Sequence, residues 1–153
     1  MVGNVIDRFD GEHRFLSNFY SHFLGWLGRL WPSAEHAYQW SKTDNFQWKE
    51  RIRLAASPGQ AKILGRQAPL RPGFHEIKVG IMEDIIFAKF ADKDLAKKLI
   101  NTGGAWLIEG NDWGDTFWGA VRVDGKWRGQ NHLGKTLMLV RNWLMENENS
   151  RLV

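Results

Sequence analysis

The sequence predicts an α-rich α+β fold of about six helices with a small antiparallel β element. Three observations carry that prediction. Helix-start signals recur along the chain, the clearest being Ser57-Pro58-Gly59-Gln60, with a serine at the N-cap, proline at the first helical position and glutamine at the third. Apolar residues repeat at helical spacing at Ile77, Ile81, Ile85, Ile86 and Phe90, and again at Leu133, Leu137, Val140 and Leu144. Asp124-Gly125 is a hairpin dipeptide, while the strand–helix alternation of a parallel sheet is missing.

Taken in order, Val5 to Phe9 reads as a short strand, and Phe15 to Leu30, with Gly25 and Gly28, as a loop leading into strand-like structure. Pro32 and Ser33 open a helix through about Lys42. Asp44 or Asn45 caps a second helix to about Ala56, and Ser57 starts a third that ends near Gly65. After the break at Arg71-Pro72-Gly73, a helix runs from about His75 to Phe90. Asp92 caps another, stopped by Gly103-Gly104. Ala105 to Ile108 reads as a strand, and Phe117 to Trp127 as strands around the hairpin turn. The last helix starts at Asn131, and the tail after Glu146 is polar and expected to fray.

The length of 153 residues corresponds to one domain, residues 1–153, able to bury a core without staples. With 43% hydrophobic and 25% charged residues the composition is that of a globular protein rather than a disordered one. No stretch approaches the ~18 apolar residues of a spanning helix, and the start, MVGNVIDRFD, does not read as a signal peptide. There is no cysteine, which excludes disulfides, thiol nucleophiles and cysteine-based metal sites and fits a cytoplasmic protein. The net charge of +4 is unevenly placed. Lys42 to Lys78 holds 8 basic residues and 3 acids, and no acid lies between Arg51 and His75. Such a segment favours a phosphorylated or nucleic-acid ligand, or is simply a solvated helix face. Nine tryptophans and nine phenylalanines serve chiefly the core, though aromatics also stack on bases.

Several patterns carry chemistry. Gly129 to Thr136 fits the P-loop spacing G-x-x-x-x-G-K-[ST], but the segment before it is a polar hairpin and no acidic magnesium partner follows, so Lys135 and Asn131 are read as helix-capping or as contacts to another ligand. The five histidines show no metal-binding spacing, no G-x-S-x-G elbow occurs, and neither metal nor cofactor is expected. Glu35, Gln39 and Lys42 fall on one stripe of a helix, flanked by Tyr38. A carboxylate and an amine so placed suit acid–base or covalent chemistry, or form an exposed face with an intrahelical ion pair. The stretch Glu109-Gly110-Asn111-Asp112-Trp113-Gly114-Asp115, followed by Trp118-Gly119, can clamp a ring and bind hydroxyls, or is a turn anchored by core tryptophans. Phe15-Leu16-Ser17-Asn18-Phe19 is a weaker, aromatic-flanked polar pair.

These clusters, in this order, resemble the NADAR (YbiA-like) family. The likeness runs from Phe15–Phe19 and Pro32–Gln39 through Ile52-Arg53, Ala61-Lys62, Gly65-Arg66 and Lys89-Phe90. It resumes at Thr102-Gly103, Glu109, Asn111, Trp113-Gly114-Asp115 and Trp118-Gly119, and closes with Gly129, Asn131, Leu133-Gly134-Lys135, Met138 and Arg141, about residues 9–145. Trp31 stands where tyrosine is usual and Phe74 where tryptophan is typical. The resemblance implies a single YbiA-like domain with N-glycosidase activity. It implies cleavage of the bond between ribose and a base, either ADP-ribose on guanine in nucleic acid or phosphorylated ribosylaminopyrimidine intermediates of riboflavin synthesis. A non-catalytic module that binds ADP-ribose or nucleic acid is the rival of another class. On this reading Glu35, Lys42 and Asp115 are the catalytic candidates. Asn18 holds ribose hydroxyls with Asp115, Arg53 and Lys62 hold phosphate, and Trp113 and Trp118 stack on the base. Phe19, Tyr38, Gln39 and Asn131 complete the substrate contacts. The expected partners are a nucleotide-like small molecule or ADP-ribosylated nucleic acid, with no membrane.

Overall fold

The computed structural model describes residues 3–150. Its elements in chain order are β1 (Val5–Ile6), a 3-10 helix (Gly11–Leu16), β2 (Leu24–Trp26), β3 (Arg29–Trp31), α1 (Ala34–Ser41), α2 (Phe46–Arg53), α3 (Pro58–Gln67), α4 (Phe74–Lys89), α5 (Lys93–Ile100), β4 (Trp106–Leu107), β5 (Val121–Val123), β6 (Lys126–Arg128) and α6 (His132–Ser150). The fold is α+β and helix-rich, as the sequence predicts. The chain divides into two compact units, one made of residues up to Ser17 together with those from Phe90 onward, the other of Asn18–Lys89.

In the 18–89 unit, local sequence sets each helix start. Ser33 caps α1 by accepting from His36 N at 3.2 Å. Of the two candidates for α2, Asn45 is the cap, accepting from Trp48 N at 3.1 Å. Ser57 caps α3 through Gln60 N at 3.1 Å, and Gln60 Oε1 accepts from Ala56 N at 2.8 Å. That second bond draws residue 56 into the α3 cap, so α2 stops at Arg53, short of the expected Ala56. α3 runs two residues beyond Gly65. α1 is the central helix, packed against α2, α3, α4 and β3 and buried on all sides from Ala34 to Gln39. The buried face of α4 is Phe74, Met82, Ile85, Ile86 and Lys89. Ile77 is exposed, so this face is turned towards Met82 from the expected isoleucine stripe. Leu27 and Gly28, at φ 51° and 72°, close a β2–β3 hairpin where the sequence suggests mainly loop. Trp31 is fully buried and donates Nε1 to Trp26 O at 2.8 Å. Its ring centroid lies 5.1 Å from that of Trp40.

In the other unit, β1 covers only Val5–Ile6 and pairs in parallel with β4, Val5 opposite Trp106. The β content is therefore not purely antiparallel. β5 and β6 form the expected hairpin, but shorter and later than Phe117 to Trp127, with Asp124 and Gly125 at φ 51° and 74° as a two-residue turn. Residues 117–120 instead lead to a parallel bridge between Gly110 and Ala120. α5 and α6 pack together, and α6 also covers β4. Leu133, Leu137 and Val140 are buried and Leu144 half-buried. α6 continues past Glu146 to Ser150, its last turn closed by Ser150 Oγ on Glu146 O at 2.9 Å, where the sequence suggests a frayed tail. Among the described residues no helix is long and apolar enough to cross a membrane.

Candidate active site

In the 18–89 unit the α1 stripe is interior, which removes its reading as an exposed ion-paired face. Glu35 is 6% and Gln39 3% exposed. Glu35 sits in the first turn of α1, where the helix dipole favours a carboxylate, and its backbone N–H donates to Asn18 O at 3.1 Å. Gln39 Nε2 donates to Glu35 Oε1 at 2.7 Å. Asn18 Nδ2 lies 3.4 Å from Met82 Sδ, and Asn18 Oδ1 is buried with no hydrogen-bond partner in the structure. A buried amide oxygen of that kind suits a hydroxyl donor.

Lys42 is half-buried at the C-terminal end of α1, with Nζ 5.6 Å from the centre of the Tyr38 ring. Burial lowers its pKa from the usual lysine value. The Glu35 charge opposes that shift, and Arg66, Lys62 and Lys78 add to it. Lys62 Nζ in turn lies 5.6 Å from the centre of the Phe19 ring. The structure thus brings Glu35, Gln39, Lys42, Tyr38, Lys62, Phe19 and Asn18 together. It adds Arg66 and Lys78, which sequence reasoning missed. Arg66 follows Lys62 by four residues on α3, a legible spacing, whereas Lys78 comes from α4 and needs the tertiary fold.

Arg53 stands apart from this cluster. Its guanidinium is paired with Glu50 by two hydrogen bonds, 3.1 and 2.8 Å. That hydrogen bonding, chiefly, raises the arginine pKa and lowers that of the glutamate. Arg53 lines an open groove of about 600 Å³ with Arg29, Leu30, Phe46 and Glu50.

In the other unit, the 109–119 loop is held by its own side chains. Asn111 Oδ1 accepts from Asp115 N at 2.9 Å and its Nδ2 donates to Asp115 O at 2.8 Å. Asp115 Oδ1 accepts from the amides of Phe117 and Trp118, at 3.1 and 2.9 Å. Trp113 is 62% exposed, while Trp118 is half-buried, edge-on to Phe117. Asn131 ties two elements: its Oδ1 accepts from Glu109 N at 2.9 Å and its Nδ2 donates to Leu107 O at 2.9 Å. Both ends of that amide are occupied by the backbone. The P-loop reading fails on the same geometry. The amides of Gln130, Asn131, His132 and Leu133, which a phosphate loop would turn to its ligand, donate to the carbonyls of Thr116, Gly119, Phe117 and Trp118.

Against known proteins, the chain matches the NADAR domain over residues 7–145. It is 37% identical over 147 residues to a riboflavin biosynthesis protein of Vibrio vulnificus, covering 94% of this chain but only 39% of that longer protein. It is 33% identical over 132 residues to the N-glycosidase YbiA of Escherichia coli, covering 82% of this chain and 80% of YbiA. A Nostoc punctiforme N-glycosidase is 36% identical over 131 residues, covering 82% and 81%. The solution structure of Escherichia coli YbiA superposes with a TM-score of 0.82 at 30% identity, over 97% of this chain and 89% of that one. With the family's residues matched across both units and its fold reproduced, the chain belongs to the NADAR family.

Proposed function

We propose that this enzyme, a hydrolase of N-glycosyl bonds, removes ADP-ribose from guanine in nucleic acid. The observation that carries the reading is the buried face of α1, where the Glu35 carboxylate, held by Gln39, shares a helix with an amine whose charged form burial disfavours. The acid-free segment from Arg51 to His75 supports a phosphate-bearing substrate, polymeric or small. N-glycosidase is the activity named for the Escherichia coli and Nostoc relatives. A second reading is favoured by the names of the Vibrio and Arabidopsis thaliana relatives, both riboflavin biosynthesis proteins. On that reading the substrate is a phosphorylated ribosylaminopyrimidine. A cytoplasmic setting belongs to both, since phosphorylated nucleotides do not cross membranes unaided.

The chemistry follows from an oxocarbenium-like transition state at the anomeric carbon. The Glu35 carboxylate stabilises the developing positive charge. Lys42, reacting as the neutral amine, attacks that carbon as the bond to the base breaks and its electron pair leaves with the base nitrogen, which takes up a proton. The ring oxygen then leaves the same carbon with the second of the two amine protons, the base having taken the first, giving a neutral imine. Water adds to it and releases the amine and the ribose aldehyde, so one water is consumed per bond cleaved. Asn18 offers its amide oxygen to a ribose hydroxyl, and Lys62 with Arg66 and Lys78 faces phosphate.

The test is product release from a guanine-ADP-ribosylated oligonucleotide, followed by mass spectrometry. Wild type restores the plain oligonucleotide, while Glu35→Gln and Lys42→Ala each lose roughly 10²-fold or more. Borohydride traps the sugar on wild type and not on Lys42→Ala. Near-normal turnover in both variants would sink the assignment. Tight binding without cleavage by wild type would mark a binding module, and cleavage of the aminopyrimidine alone would select the second reading.

A further inference from the structure

α3 presents no side chain at Gly65, and the space it leaves is taken by Gln39 of α1. A Cβ at Gly65 would lie 2.7 Å from Gln39 Cδ and 3.1 Å from Gln39 Cβ, with Oε1 nearer still. Gly65 is buried and helical, with no positive φ, so a left-handed backbone is not what calls for glycine there. The close approach of the amide is.

The two ends of that amide differ. Nε2 donates to Glu35 Oε1 at 2.7 Å, while Oε1 is buried with no hydrogen-bond partner in the structure. Leaving an acceptor unpaired in a protein interior costs stability. Reversing the amide would not relieve it, because the oxygen would then face a carboxylate, acceptor against acceptor. The orientation that serves Glu35 is thus kept at the expense of the other end, which is how a residue retained for its action on a neighbour looks.

We infer that Gln39 is a positioning residue for Glu35, and that Gly65 is the bare spot on α3 that lets Gln39 take this orientation. The inference rests on the N-glycosidase reading for its catalytic consequence but not for its geometry. Nε2 fixes the direction of the carboxylate and favours its charged form, as donors to a carboxylate do.

Three variants of the full chain test this: Gln39→Met, which keeps volume and removes the donor; Gly65→Ala; and the double variant Gly65→Ala/Gln39→Ala, which gives the added methyl room. The primary readout needs no substrate. It is the titration of the Glu35 carboxyl by carbon-13 NMR, with thermal unfolding as a check on the fold. Both single variants move the Glu35 titration to higher pH than in wild type. The double variant recovers thermal stability relative to Gly65→Ala but not the wild-type titration. In turnover, kcat falls by about tenfold or more with KM held within about threefold, and the limb of the pH profile belonging to Glu35 moves with the NMR titration. A wild-type Glu35 titration in Gln39→Met overturns the inference, as does a double variant that restores titration together with stability. Should Gly65→Ala fail to fold, Gln39→Met decides alone. Should wild type show no turnover on either substrate, the N-glycosidase reading falls while the NMR result still decides the role of Gln39.

Discussion

His36, next to Glu35 on α1, is 1% exposed, and its ring is held at both nitrogens. Nε2 donates to Ala55 O at 3.0 Å, so in the neutral ring Nδ1 accepts from Ser33 Oγ at 2.7 Å. The same hydroxyl oxygen caps α1 by accepting from His36 N. Burial lowers the His36 pKa from its ordinary 6.5, outweighing the Ala55 bond. A depressed pKa means the unfolded chain binds the proton more readily. The stability the neutral ring supports is therefore complete above pH 6.5 and is lost as pH falls through the folded value. Urea unfolding at pH 7.5 and pH 5.5 checks this, the expected outcome being a larger loss on acidification in wild type than in His36→Gln. Lys42 gives a second pH test. Arg66 and Lys62 both push its pKa down, so Arg66→Met lets it rise. The limb of the rate profile that requires the neutral amine then moves to higher pH, measurable in single-turnover rates. Glu35, Gln39 and Lys42 were legible as a stripe from their spacing. That the stripe is interior was not, because α1 carries few strongly apolar residues and is buried by packing on all sides.

At the scale of elements, the starts of α1, α2, α3 and α5 were legible because each cap is a local event, a side chain accepting from an amide two or three residues on. Replacing Ser33 by alanine removes a cap and the partner of His36 together. We expect a loss above the ~1 kcal/mol of a cap alone, measured by denaturant unfolding. The β2–β3 hairpin was not legible because Leu27, at φ 51°, occupies a turn position that usually advertises itself by glycine or asparagine. The start of α6 was misleading in another way. Its Gly129–Thr136 spacing mimics a phosphate loop, yet its first amides are bound by residues 116–119 and its Asn131 joins Glu109 to Leu107. Asn131→Ala leaves two backbone groups without partners and is expected to cost roughly 2–4 kcal/mol in unfolding experiments. Lys135 is exposed, and Lys135→Ala should keep turnover within about twofold of wild type, with no response to added magnesium.

For the whole molecule, the fold class and the basic segment could be read from one sequence, whereas the division into two units could not, since no linker or change of composition marks it. The basic segment yields a test between the substrate readings. A polynucleotide releases many counterions on binding, so affinity for an ADP-ribosylated oligonucleotide should fall steeply between 50 and 200 mM salt, and that for a mononucleotide only gently. Equal slopes would favour the small substrate. The chain order of the units has a consequence for how the protein is made. One unit is a continuous run, Asn18–Lys89, inserted between the two segments of the other. On the ribosome the inserted unit is complete while its host is not. β1 has been synthesised by Ile6, but its strand partner, Trp106–Leu107, follows some hundred residues later. At ordinary elongation rates that leaves the edge of β1 waiting about 5–20 s for the strand that closes it.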